Sequence, residues 1–205
     1  MEKYKTVRSS AEATHVVERS RFIAHVVRAE SREEAEAFIA KIKKEYWDAR
    51  HNVYAYALKS GESRCSDDGE PSGTSGMPTL DVILKQGFSD VCIVTTRYFG
   101  GILLGTGGLV RAYSKAASLA LEAAGSAHIA PCAVMTLSAP YAYTEKLQRF
   151  FKENACVVED VRYTECVSFD FYCESERVDL IHAKITEKFN GELHESFLKT
   201  EFREL

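Results

Sequence analysis

The chain of 205 residues contains no apolar run approaching the roughly 20 residues that cross a bilayer as a helix. Its opening residues, Met1-Glu2-Lys3-Tyr4-Lys5, lead into polar sequence without the apolar core of a secretory signal. A cytoplasmic protein with no membrane partner is the expected class. No polybasic arm is present either: Lys and Arg number 26 against 30 Asp and Glu, for a formal charge of -4. Residues 1–132 are near neutral, with 17 basic against 16 acidic side chains, whereas residues 133–205 carry 9 against 14. Any nucleic-acid contact must therefore use a local patch rather than the field of the whole molecule. The six cysteines, at 65, 92, 132, 156, 166 and 173, form no Cys-x-x-Cys and no close Cys/His pair. That spacing argues for reduced thiols and assigns no metal. Neither repeats nor low-complexity tracts occur, and no Ser-His-Asp or Cys-His set is defined around His25 or His51.

What the chain does have is glycine in one place. Ten of its twelve glycines lie between Gly61 and Gly108. They punctuate two runs, Cys65-Ser-Asp-Asp-Gly-Glu-Pro-Ser-Gly-Thr-Ser-Gly-Met-Pro78 and Thr95-Thr-Arg-Tyr-Phe-Gly-Gly-Ile-Leu-Leu-Gly-Thr-Gly-Gly-Leu-Val-Arg-Ala-Tyr113. Glycine loses more backbone freedom on folding than any other residue, so this density points to tight turns or close backbone approach.

Patterning predicts an α+β protein of two domains, residues 1–131 and 132–205, with Pro131 near the boundary. In the first, Ala13–Val17 and Arg21–Val27 read as strands, and Ser31 caps a helix over 32–45. Val53–Leu58 is a strand followed by a long loop, and Thr79–Lys85 is a short helix. Asp90–Thr96 is an apolar strand delivering Arg97 and Tyr98, and a helix over 108–124 follows, stopped by Gly125. In the second, a strand at Ala133–Ser138, a helix at Tyr141–Glu153 and strands at Cys156–Tyr163 and Cys166–Cys173 come first. A helix at Ser175–Phe189 and a strand at Glu192–Phe202 complete a ferredoxin-like βαββαβ order.

Asp67, Asp68 and Glu70 can hold a hard cation, face a basic partner, or accept backbone N–H bonds in a rigid turn around Gly69, Gly73, Thr74 and Gly76. The turn network is the preferred reading. No Gly-Lys-Ser/Thr follows, which excludes a P-loop, and no acidic ribose reader stands where a dinucleotide fingerprint requires one. Gly105, Gly107 and Gly108 open a long helix whose free N–H groups favour an anion, with Arg97 and Arg111 flanking it. Lys115 points to the same helix face as Arg111, toward a neighbour or a ligand. Tyr98, with Phe99 beside it, can stack on a base or fix the turn, while Gly100 and Gly101 read as structural.

The runs Asp67-Asp-Gly-Glu-Pro71-x-Gly73-Thr74-x-Gly76 and Arg97-Tyr-Phe-Gly-Gly101-x-x-Leu104-Gly105-x-Gly107-Gly108-Leu109-x-Arg111-Ala-Tyr113 resemble the hallmark of the IMPACT family, in its bacterial YigZ-like branch. The resemblance extends over nearly the whole chain. It implies a ribosomal protein S5 domain 2-like fold, followed by a ferredoxin-like domain similar to elongation factor G domain V. Eukaryotic relatives regulate translation through a stress-kinase activator with an added RWD domain. No such domain precedes Arg21, so that pathway role is not carried over. A peptidase label borne by some relatives finds no His/Asp/Glu metal set here.

The expected function is a noncatalytic RNA- or ribosome-associated factor affecting translation, with no catalytic residue, cofactor or metal assigned. Two alternatives stay open: an enzyme for a phosphorylated or anionic small molecule, and a protein-interaction module.

Overall fold

The computed structural model describes residues 2–204, which divide into one unit of residues 4–128 and another of residues 129–204 with 2–3. The first contains β1 (Tyr4–Val7), β2 (Ala11–Val17), β3 (Ser20–Arg28), α1 (Arg32–Glu45), β4 (His51–Ala57), β5 (Ser63–Ser66), α2 (Gly76–Lys85), β6 (Val91–Tyr98) and α3 (Gly105–Ala124). Its antiparallel sheet runs β2-β3-β6-β4-β5. From β7 (Ser126–Ala139) onward come α4 (Thr144–Glu153), β8 (Val157–Tyr163), β9 (Val167–Glu174), α5 (Val178–Lys188) and β10 (Glu195–Glu204).

The sheet of the first unit is covered on both faces, and strand alternation sorts its side chains between them. Phe22, Ala24 and Val26 of β3, with Val91 and Ile93 of β6, pack in one core with α2 and α3. Cys92 and Val94 of β6 face the other way, against Ala35, Ile39 and Ile42 of α1. Seven of the eight residues of β6 are buried, which explains why this central strand reads as an apolar run rather than an alternation. α1 begins at Ser31, whose hydroxyl accepts the Glu34 N–H at 3.2 Å. α3 presents Leu109, Ala112, Tyr113, Ala116, Ala117 and Ala120 to the core, and these small residues let it lie close on the sheet.

In the second unit the strands run β10-β7-β9-β8, all antiparallel, which is the order of a ferredoxin-like split βαβ fold. Leu147, Phe150 and Phe151 of α4 and Ile181 and Ile185 of α5 fill a core against alternate residues of β7 and β9. The β8–β9 turn at Thr164–Cys166 closes with the Thr164 N–H donating to the Cys166 carbonyl at 3.0 Å.

Several elements differ from the sequence expectation. β1 and β5 were not anticipated; β5 lies inside the stretch read as loop, where Ser63–Ser66 pairs with Tyr54–Ala57. α2 starts at Gly76 and α3 at Gly105, three residues earlier than patterning suggests in each case. Gly and Thr are weak helix formers, but packing of the residues that follow outweighs their local preference. β7 starts at Ser126, so Pro131 lies within it, opposite Phe202 of β10.

One glycine is fixed by space rather than by dihedral angle. A Cβ on Gly100 would lie 2.1–2.4 Å from the backbone of Arg19 and Ser20, whose hydroxyl accepts the Gly100 N–H at 3.1 Å. Gly101 has φ +87° but open space around it. Gly100→Ala is therefore expected to cost about 3 kcal/mol or more through overpacking. Gly101→Ala should cost only about 1–2 kcal/mol, from dihedral strain. Urea unfolding of the two variants checks the order, and a smaller loss at Gly100 contradicts the close-approach account.

Candidate functional site

The two glycine-rich runs meet in the first unit, and their three carboxylates turn to three different partners. Asp67 accepts the N–H of Gly73, Ser75 and Gly76 at 2.8, 3.0 and 2.8 Å, and the Ser75 hydroxyl at 2.7 Å. Burial pushes its carboxyl pKa up, but these four donors overcome that and hold it below the ordinary aspartate value. Asp68 accepts the Lys43 ammonium of α1 at 2.6 Å and the Asn52 N–H of β4 at 2.7 Å. The Thr74 hydroxyl donates to the Pro71 carbonyl at 2.6 Å, tightening the same turn. Gly76 sits against β5, where a Cβ would come within 2.8–2.9 Å of the Ser66 backbone.

Glu70 turns inward. Its Oε1 and Oε2 accept from Arg97 Nη1 at 2.7 and 3.0 Å, and Oε1 also accepts the Tyr113 hydroxyl at 2.7 Å. The side chains of Arg97 and Glu70 are 8% and 3% exposed, so this is a desolvated ion pair. Burial, then the Glu70 charge, push the Tyr113 phenol well above its ordinary pKa, keeping it a donor. Phe22 packs edge-on to Tyr113, with ring centroids 5.0 Å apart.

Above this pair opens a cleft of about 400 Å³. Arg50, His51, Glu70, Arg97, Phe99 and Gly105 are among its lining residues. His51 Nδ1 lies 2.9 Å from the Asp68 carbonyl, which only accepts, so Nδ1 carries the proton there. The first turn of α3 forms one rim. Its N-cap position is Leu104, which supplies no side-chain acceptor, and no acidic residue stands in the turn. Gly105, Thr106 and Gly107 are exposed, and the first N–H groups of a helix have no acceptor within it. Gly105 adopts φ +67°, a conformation that disfavours any side chain at the helix start. A second cleft, of about 710 Å³, lies along β2 and α3, lined by His15, Glu18, Leu103, Gly108, Arg111 and Lys115. Arg50, Arg111 and Lys115 are exposed and make no ion pair among the described residues.

The structure thus separates residues that adjoin in sequence. Arg97 and Tyr98 leave opposite faces of β6. Arg97 meets Glu70 and Tyr113 on the α3 side. Tyr98 donates to Asp48 at 2.9 Å, and the Arg21 guanidinium lies 4.9 Å from its ring centroid. Arg97 is already neutralised by Glu70, so it does not stand beside Arg111 as a free anion contact. Arg111 and Lys115 share the second cleft with Gly108, while Gly105 lines the first. Of the aromatic pair open to stacking, Phe99 lines the first cleft and Tyr98 does not; Arg50 and His51 line it too, a placement the sequence reading did not give them. The period-two parity of β6 carried the Phe99 signal: it has the parity of Arg97, not of Tyr98. Nothing local in the sequence places Arg50 or His51 there, because the start of β4 and the residue before it come from elsewhere in the chain.

Residues 18–121 match the Impact N-terminal domain, and residues 137–192 match a domain of unknown function, DUF1949. The chain belongs to the IMPACT family. The IMPACT family member YvyE of Bacillus subtilis (strain 168) is 40% identical over 190 residues, covering 92% of this chain and 88% of that one. The IMPACT family member YigZ of Escherichia coli (strain K12) is 38% identical over 129 residues, 61% of this chain and 63% of its own length. A crystal structure described only as that of a hypothetical protein superposes with TM-score 0.63 at 28% identity, covering 97% of this chain and 98% of its own. Both glycine-rich runs lie within the residues that match the Impact N-terminal domain.

Two outcomes follow from this geometry. Glu70→Ala leaves the Arg97 charge buried and unpaired, and is expected to cost about 3–5 kcal/mol. The double variant Glu70→Leu/Arg97→Met should lose less than Glu70→Ala alone, and urea unfolding reads both; equal losses contradict a desolvated pair. Because the folded Asp67 pKa lies below its unfolded value, the stability it contributes is present above about pH 4. That contribution is lost as pH falls through the folded pKa. Asp67→Asn should flatten the acid limb of a stability–pH profile, and an unchanged limb refutes the assignment.

Proposed function

We propose that this IMPACT-family protein is a noncatalytic RNA- or ribosome-associated factor acting in translation, gripping phosphate at the start of α3. The observation that carries this reading is the uncapped, acid-free first turn of a 20-residue helix set between two clefts. Such a turn offers oriented N–H donors and the positive end of the helix dipole to an anion. Arg50 on one side and Arg111 with Lys115 on the other add cations that make no ion pair among the described residues, although Glu18 shares the second cleft. Backbone phosphate contacts of this kind place a strand without reading its sequence. The overall charge of -4 requires such a contact to be a local patch.

The enzyme alternative needs a free carboxylate in the cleft, and both oxygens of Glu70 are already engaged. A protein-interaction reading has one favouring observation: Ile102 and Leu103 are 40% and 88% exposed beside the α3 start. Capture from cell extract with and without nuclease separates ribosome, free RNA and protein partners. For the purified protein, RNA affinity should fall with salt. Arg111→Ala/Lys115→Ala should weaken it across sequences and reduce the salt slope by about 1 per lost contact. Salt-independent or absent association, or an unchanged slope, defeats the proposal.

A further inference from the structure

A sheet edge exposes unpaired backbone, and folded proteins blunt such edges by shortness, charge or a bulge. β1 and β5 are only four residues long. β8 and β10 each carry a register shift, at Val158/Asp160 and at Phe197/Lys199, which interrupts the regular ladder. β2 has none of these devices. Its seven residues, Ala-Glu-Ala-Thr-His-Val-Val, pair with β3 without a shift, contain no proline and carry one charged side chain, Glu12. It stands at the end of the sheet order, so the N–H and C=O of alternate residues point away from β3. Among the described residues, that outer row has no backbone partner.

α3 runs the length of this edge. Its first turns share the second cleft with Val17 and Glu18, and its Ala124 carbonyl accepts the Ser9 N–H and hydroxyl, both at 3.3 Å. Gly108, Arg111, Ala112 and Lys115 share one helix face and line the cleft opposite His15 and Val17. Leu103, 88% exposed, adds apolar wall. The cleft of about 710 Å³ thus has an open strand edge on one side and a helix on the other. Arg111 and Lys115 face one lining carboxylate, Glu18, and pair with no acid among the described residues. They stand one helical turn apart, about 6 Å along the axis, close to the roughly 7 Å between same-face side chains of a strand. An RNA strand would meet these two cations but leave the β2 edge and the apolar wall unused. An extended peptide meets all three, its backbone continuing the sheet while alternate side chains enter the cleft.

We propose that an extended, acidic segment of a partner protein adds to β2 as a further strand, with apolar side chains against Val17 and Leu103 and carboxylates on Arg111 and Lys115. This site goes beyond the RNA reading and does not depend on it. Because the two ligands draw on the same pair of cations, RNA and peptide exclude one another there.

Fluorescence anisotropy of the full chain with labelled hexapeptides tests the site. A peptide alternating Val and Glu should bind. One alternating Val and Lys should bind at least about tenfold more weakly, the scale of one charge-assisted hydrogen bond. Two further Val/Glu peptides, N-methylated on the Val amides or on the Glu amides, should differ, because only the set facing β2 abolishes binding. Hydrogen exchange of residues 11–17 should slow in the complex. Arg111→Ala/Lys115→Ala should remove the preference for Glu over Lys, with circular dichroism confirming the fold. Absent binding of the Val/Glu peptide, equal binding of the Val/Lys peptide, equal effects of the two N-methylated sets or unslowed exchange in β2 overturns the inference. RNA affinity, measured in the same assay without peptide, decides the RNA reading separately.

Discussion

A carboxylate buried between a guanidinium and a phenol joins three pieces of the first unit that are distant in sequence. Glu70 belongs to the acidic turn, Arg97 to the end of the central strand and Tyr113 to the third turn of α3. A single buried charge of this kind is costly, and two are tolerated only when their geometry and remaining hydrogen bonds are supplied together. The loop, the strand and the helix must therefore arrive in register. That requirement fixes where the α3 start sits relative to β6, and hence where the cleft opens.

The other polar residues of the acidic run hold the loop for that arrival. Asp67 gathers the N–H groups of the Gly73–Gly76 turn, and Asp68 bridges α1 and β4. Gly76 and Gly100 then allow backbones to touch, against Ser66 and against Arg19 and Ser20, where any side chain collides. A run rich in Asp and Gly reads equally as a cation loop or as scaffolding until its partners are seen. Here the carboxylates are consumed by N–H and ammonium donors within the same unit. The exposed chemistry is left to the first turn of α3 and to arginines and a lysine that make no ion pair among the described residues.

Much of the fold was legible from local rules. Ser31 with Glu34 marks the start of α1, and the apolar stripe from Leu109 to Ala120 marks the buried face of α3. The βαββαβ order of the second unit follows from alternation and turn chemistry. Less legible were the first turns of α2 and α3, whose Gly and Thr residues have poor helix propensity and are held by packing that follows them. β5 was hidden for a related reason, since its four residues are short and polar and pair only because β4 lies alongside. At the site, the aromatic pair Tyr98-Phe99 was visible, but strand parity sends Tyr98 toward Asp48 and Phe99 into the cleft.

The sequence by itself determined the family, the two-unit α+β organisation and the location of the unusual surface, because glycine spacing, apolar period and turn residues are local properties. Tertiary structure alone decided which residues of that surface are free to act. Whether an arginine is a neutralised strut or an open cation depends on what lies opposite it across a strand or helix. Those neighbours, Glu70 for Arg97 and solvent for Arg111 and Lys115, are set by packing between segments tens of residues apart rather than by the residues beside them in the chain.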